Sequence, residues 1–119
     1  MILLRKYTFQ AARKLTKIDP SHICANLHGH TFHVTIKIEG PINNKNDFVM
    51  DFFDIDTIFN KTVFDKLDHK YLNDIDGLQS PTTENLAKWI WNTLIKKLSI
   101  LKEVHVFEND VYGCIYKGD

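Results

Sequence analysis

Three residues in the first third of the chain could do chemistry together. Cys24 precedes His28 and His30 in the stretch CANLHGHTFHV. Residues two apart on a β-strand point to the same side, so the two imidazoles could converge on one ion. Zinc accepts imidazole nitrogen in this way, with a third protein ligand and one open position. A cysteine beside a metal or an imidazolium can act as a base or nucleophile, although a single cysteine is more often a small buried apolar residue.

Two further positions carry carboxylates that could take part. Asp68 stands next to His69 in LDHKYLND. In a loop, such a carboxylate could orient the imidazole and raise its pKa; the alternative is a solvated loop histidine. Glu108 ends an apolar stretch and could accept two hydrogen bonds from an amidine-like ring edge, as in a pterin or guanine. The alternative is a charge in water at the end of a strand.

Composition narrows the class of protein. Fifteen basic and fifteen acidic residues cancel in a chain of 119 residues, so nothing indicates a nucleic-acid or membrane surface. No apolar run approaches the roughly 20 residues needed to cross a bilayer. The two cysteines, Cys24 and Cys114, do not form a disulfide framework, and no signal peptide is recognisable. We therefore expect one domain over residues 1–119, in the cytoplasm, with both thiols free.

Strands and helices must hold these residues in place. The stretches LRKYTFQAA and HTFHVTIKIEG predict two strands, and the second has an alternating apolar face of Phe32, Val34, Ile36 and Ile38. Two further strands are predicted around END, near the C-terminal end of the chain.

Helices are predicted between these two pairs of strands. One begins at the N-cap Asp51, and the other is capped by Ser80 with Pro81 in the first helical position. Their apolar faces contain Ile55, Ile58, Phe59, Thr62 and Val63 in the first, and Leu86, Trp89, Ile90, Leu94 and Leu98 in the second. The order ββααββ predicts an α+β fold, with an antiparallel four-stranded sheet and two helices on one face.

The order of the motifs resembles a known family across nearly the whole chain. The motifs are FQAARKL, C…LHGHTF, FVMDF, LDHKYLND, PTTENLAKWIW and E…GCIYKGD. Together they resemble the 6-pyruvoyltetrahydropterin synthase / 6-carboxytetrahydropterin synthase family, and most of all its bacterial carboxy branch in queuosine biosynthesis. The resemblance implies the tunnelling fold (T-fold). It also implies hexamers built from two trimers, with active sites between subunits.

The resemblance also implies roles for individual residues. His28 and His30 match zinc ligands, Cys24 matches the catalytic base, and Asp68 and His69 match the pair that orients and donates a proton. Glu108 matches the carboxylate that holds the pterin ring, while Thr82 and Thr83 match a segment that approaches it. The implied reaction converts 7,8-dihydroneopterin triphosphate to 6-carboxy-5,6,7,8-tetrahydropterin, acetaldehyde and triphosphate. Zinc would act as a Lewis acid on the substrate hydroxyls.

One position departs from the family pattern. The first zinc ligand of the family is the histidine of F-x-A-A-H, whereas this chain reads FQAAR and has Arg13 there. Arginine has no lone pair to give and cannot ligate zinc. Arg13 could swing away from a weakened zinc site, could itself polarise substrate oxygens or meet the triphosphate, or could mark a member that binds pterin and turns over poorly. His33 faces away on a regular strand, and His22 in a loop is the better replacement ligand.

Rival functions remain open at this point. The pyruvoyl-forming branch of the family eliminates triphosphate but keeps the three-carbon side chain. A metal-deficient pterin-binding protein is the non-enzymatic alternative. Release of acetaldehyde would distinguish the carboxy branch from both.

Overall fold

The computed structural model describes residues 1–119. In chain order, its elements are β1 (Ile2–Arg13), β2 (His28–Glu39), α1 (Phe52–Phe59), α2 (Asp65–Leu67), β3 (Lys70–Tyr71), α3 (Thr83–Leu94), β4 (Leu101–Phe107) and β5 (Gly113–Tyr116). A π-helical segment, Asn60–Phe64, joins α1 to α2, and short 3₁₀ turns lie at Ile23–Ala25 and Leu72–Asp74. None of the helices is both long and apolar enough to span a membrane.

One five-stranded sheet has the order β3-β1-β2-β4-β5. The expected α+β class and the single sheet are confirmed, but the expected four antiparallel strands are wrong. The additional strand, β3, runs parallel to β1 and pairs Lys70 with Ala11 and Tyr71 with Ala12. The backbone N–H of His69 donates to the Gln10 carbonyl at 2.5 Å, just before this pairing. The loop after α2 is therefore attached to the edge of β1.

The core lies between the sheet and the helical segments. Alternate residues of β1 and β2 face the helices, including Phe9, Phe32 and Val34, which are almost completely buried. The β1–β2 hairpin pairs in register from Ile2 opposite Glu39 to Arg13 opposite His28. Residues 28 and 30 share the parity of Phe32 and Val34, so both histidines continue the buried face of β2 at one end of the hairpin.

The helix boundaries differ in part from expectation. Asp51 caps α1 as predicted, because its side chain accepts a hydrogen bond from the Phe53 backbone N–H at 2.9 Å. The predicted cap of the other helix, α3, is wrong. Thr82, not Ser80, caps α3, because its side chain accepts a hydrogen bond from the Asn85 N–H at 3.1 Å.

The helix α3, the second of the two predicted helices, also ends earlier than predicted. The last residue of α3 is Leu94. Leu98 is nevertheless buried, in the turn that follows the helix.

Candidate functional site

His28 and His30 lie side by side on β2, as the strand periodicity predicts. Their ring centroids are 4.7 Å apart, with one ring edge-on to the other. The Nε2 atom of each is buried and has no hydrogen-bond partner. His28 donates from Nδ1 to the Asn26 carbonyl at 2.6 Å. In the neutral imidazole this leaves a lone pair on Nε2.

Arg13 lies directly across the hairpin from His28 and is only 2% exposed. Its guanidinium donates from Nη2 to the Glu108 carboxylate in an ion pair. Nη1 donates to the Pro81 carbonyl at 3.1 Å and to Thr83 Oγ1 at 3.3 Å. Arg13 Nε is buried without a partner. The arginine thus joins the end of β1 to the residues before α3 and after β4.

Glu108 is held as a carboxylate. Oε2 accepts from Arg13 and, at 2.7 Å, from the Thr83 hydroxyl. Burial alone would raise the pKa of Glu108, but the hydrogen bonds from Thr83 and Arg13, together with the arginine charge, outweigh it and lower the pKa. Burial and the neighbouring Arg13 charge also lower the pKa of His30, so this imidazole is neutral at pH 7.

Asp68 and His69 form a hydrogen-bonded pair in the loop before β3. His69 Nδ1 donates to Asp68 Oδ2 at 2.6 Å. The Gln10 backbone N–H donates to Asp68 Oδ1 at 2.9 Å, and this bond is the main reason that the pKa of Asp68 is lowered. His69 has a positive φ of 58°, which turns the chain so that adjacent side chains meet.

A cavity of about 500 Å³ opens at this end of the sheet. Both His30 and His69 line it, together with residues for which the sequence predicts no role in the site: Gln10, Ala11, Ala12, Gly29, Thr31, Lys70 and Tyr71. Asp68 does not line the cavity, but it holds the His69 ring through their hydrogen bond. Cys24, Glu108, Thr82 and Thr83 do not line the cavity.

Cys24 lies in the 3₁₀ turn before β2 and is half-buried. Its carbonyl accepts from the Leu15 N–H at 2.9 Å, which places the turn beside the end of β1. No hydrogen bond reaches its sulfur. The His22 ring caps the same turn by accepting from the Cys24 N–H at 3.0 Å, so His22 is engaged there.

The two predicted threonines have different surroundings. Thr83 is buried and donates to Glu108. The Thr82 hydroxyl caps α3 instead, and it makes no hydrogen bond to Glu108.

The residues present do not fit a three-ligand zinc site. No group of three or more histidine, cysteine, aspartate or glutamate side chains comes together in an arrangement that could hold a metal ion. The two imidazoles are paired, but the position across the hairpin is filled by the guanidinium of Arg13, which is cationic and lacks a lone pair.

The contact between Arg13 and Glu108 was not predicted, although the sequence carries a signal for it. Arg13 has the same parity as Phe9 and Ala11, which face the core. An arginine on a buried face requires a carboxylate partner. Glu108 directly follows β4 of the same sheet and supplies that carboxylate.

The fold and the site together define an α+β protein with paired histidines at one end of a central hairpin. The family model described as 6-pyruvoyl tetrahydropterin synthase matches residues 2–119. The chain therefore belongs to this family, and the resemblance of the sequence motifs is confirmed.

Relatives with two different names are about equally similar. A putative 6-carboxy-5,6,7,8-tetrahydropterin synthase of Archaeoglobus fulgidus is 37% identical over 111 residues, covering 92% of this chain and 90% of the relative. A 6-pyruvoyl tetrahydrobiopterin synthase of Dictyostelium discoideum is 35% identical over 100 residues, covering 81% of this chain and 74% of the relative. The structure of 6-pyruvoyl tetrahydropterin synthase from Caenorhabditis elegans matches with a TM-score of 0.91 at 24% identity, covering 100% of this chain and 96% of that one.

Proposed function

We propose that this chain is a lyase acting on 7,8-dihydroneopterin triphosphate, of the 6-carboxytetrahydropterin synthase type. The observation that carries the proposal is the hydrogen-bonded Asp68–His69 pair, which lies beside a cavity that residues His69 and His30 both border. A histidine oriented by a carboxylate is suited to general acid–base chemistry near neutral pH. Membership of the family supports the substrate class.

Each proposed role follows from what the side chain can do. His69, held by Asp68, returns a proton to the substrate side chain. Cys24, in the turn beside the end of β1, is the proposed base that removes a proton from the same side chain. Glu108 anchors the ring, with Thr83 fixing its carboxylate. Positioning of this kind can supply several kcal/mol of barrier reduction. No step in this scheme is assigned to a metal.

The site is proposed to be completed by a neighbouring subunit. The His69 side chain is 76% exposed in the single chain. A general acid is more effective where water is excluded, so contact with another subunit would cover it. We therefore propose a homo-oligomer, with the hexamer of two trimers as the expected form. Light scattering during gel filtration measures its mass, and a monomer with full activity would contradict this step.

The test of the reaction is incubation of the purified chain with 7,8-dihydroneopterin triphosphate, with and without zinc. We expect acetaldehyde and 6-carboxy-5,6,7,8-tetrahydropterin as products. His69→Ala should lower turnover by about 100-fold or more, the usual contribution of a general acid. His33→Ala, which removes an exposed histidine on the opposite face of β2, is the matched control. Equal turnover by the two variants would refute the role of His69. A pterin product that keeps its three-carbon side chain would indicate the pyruvoyl branch.

A second candidate is a pterin-binding protein without turnover. It is favoured by Arg13, which lies opposite His28 where the family pattern has a zinc ligand, and by the absence of any group of three potential metal ligands. Binding of pterin without product, even with excess zinc, would support this candidate over the lyase.

A further inference from the structure

We propose that Arg13 is the resident cation of this site, which takes the place of a divalent metal, excludes it, and holds Glu108 ionised. Glu108 Oε1 is then left to accept a ring N–H from the ligand. The choice of a pterin-type ring as ligand rests on the proposed function. The exclusion of metal does not depend on it.

The surroundings of Arg13 are those of a fixed structural cation. The residue is 2% exposed, and three separate contacts hold the two terminal nitrogens of its guanidinium. The guanidinium carbon also lies 5.2 Å from the centre of the Phe32 ring, within cation–π range. If Arg13 swung out into water, it would leave the carboxylate of Glu108 without its charged partner. The side chain is therefore not free to vacate the site for a metal.

The charge of Arg13 opposes binding of a metal ion by the histidine pair. The unpartnered Nε2 atoms of His28 and His30 are by themselves compatible with a metal. Arg13 lies opposite His28 in the hairpin. Its guanidinium carbon is 5.2 Å from the centre of the Phe32 ring, and that ring lies 5.6 Å from the ring of His30, so the guanidinium is close to both histidines. A dication between these imidazoles would be repelled by the fixed positive charge. The histidine pair also supplies only two of the three protein ligands that zinc usually requires.

The ion pair also changes how the site can bind a ring. A carboxylate has about four acceptor positions, two on each oxygen. Arg13 and Thr83 fill those of Oε2, whereas Oε1 accepts nothing from the chain. Because the Glu108 side chain is 24% exposed, it remains partly open to a ligand. A ring edge with two neighbouring N–H groups would therefore bind mainly through one oxygen.

The experiment compares zinc stoichiometry in the wild-type protein and in Arg13→His, Arg13→Lys and Arg13→Gln variants. Each protein is equilibrated with a twofold excess of zinc, separated from free metal by gel filtration, and analysed by elemental mass spectrometry. Circular dichroism and thermal melting confirm that each variant is folded. Binding of unsubstituted pterin is measured in parallel by fluorescence, in the presence of a chelator.

We expect a substoichiometric trace of zinc in the wild type and about one zinc per chain in Arg13→His, which supplies a third imidazole. The affinity difference should exceed about 100-fold, since loss of an outer-shell partner alone costs about 10–100-fold. Arg13→Lys keeps the charge and should exclude zinc, whereas Arg13→Gln should gain weak binding. Pterin should bind the wild-type protein in chelator.

Stoichiometric zinc in the wild type or in Arg13→Lys would overturn the proposal, as would an Arg13→His variant that folds but gains no metal. Loss of pterin binding in chelator would overturn the claim that the ligand is held without zinc. Absence of turnover, by contrast, would refute the proposed lyase activity while the metal result still decides this inference.

Discussion

Replacing Glu108 with glutamine tests the ion pair that organises the site. The change keeps the shape and a carbonyl acceptor for Arg13 and Thr83, but removes the negative charge. Breaking a buried ion pair costs about 3–5 kcal/mol, because the remaining charge is left uncompensated. The Arg13 side chain is 2% exposed, but that of Glu108 is 24% exposed. Solvent screening therefore reduces the expected loss to about 2 kcal/mol.

The measurement is the free energy of unfolding in urea, supported by thermal melting. A loss of this size should lower the midpoint temperature by about 8 °C for a chain of this length. The matched control is Glu39→Gln, because Glu39 pairs with Lys102 at 3.8 Å on the surface. Its expected cost is about 0.5 kcal/mol or less. If Glu108→Gln costs no more than this control, the reasoning is wrong.

A double variant measures the interaction between Arg13 and Glu108 separately from the contacts that each residue makes with its other neighbours. Arg13→Met combined with Glu108→Gln removes both charges, so it should recover part of the stability lost in the single variant. A double variant that is no more stable in urea than Glu108→Gln alone would contradict this expectation.

The pH dependence has a definite sign. The folded-state pKa of Glu108 is lowered, so its ionic contribution is complete above the ordinary glutamate range and is lost as the pH falls through the folded-state value. The stability difference between the wild type and Glu108→Gln should therefore shrink in acid.

Two further expectations concern other parts of the fold. Thr82→Ala should destabilise the protein by about 1 kcal/mol because it removes the cap of α3, whereas Ser80→Ala should have little effect; chemical unfolding measures both, and equal losses would contradict the assignment of the cap. Hydrogen bonds from His105 and Lys37 lower the pKa of Glu103 from 4.5 to about 2. Its stabilising effect should therefore be complete above the ordinary glutamate pKa, decline as the pH falls below it, and be lost as the pH passes through the folded-state value. Melting curves of Glu103→Gln against pH test this, and a difference from the wild type that stays constant across that whole range would refute it.

The parts of the fold that could be predicted have strong local patterns. The alternation in β2 fixes which residues face the core, and so places His28 and His30 on one side from the sequence alone. Asp51 is followed by an apolar helical repeat, which locates the start of α1. In both cases the decisive interaction lies within a few residues along the chain.

The parts that could not be predicted depend on distant contacts. β3 has only two residues, too few for any periodicity, and exists because its backbone pairs with Ala11 and Ala12 of β1. The sequence predicts Ser80 as the cap of α3, but Thr82 is also of a residue type that caps well, so residue type alone does not identify the cap. The backbone decides between them: Thr82 has extended dihedral angles and its hydroxyl accepts from the Asn85 N–H, so the helix begins at Thr83.

The alternation of side chains along β1 predicts that Arg13 is buried, and burial of its charge implies a contact with a distant part of the chain. The strand parity that puts the histidines on the buried face puts Arg13 there too, and a buried guanidinium must find an acceptor. Glu108 meets that need, 95 residues further along the chain. A single substitution at residue 13 therefore alters two features at once, the ligand set around His28 and His30 and the availability of Glu108. For that reason Arg13→His should change metal content and ring binding together, whereas changes at Glu108 should alter ring binding without creating a zinc site.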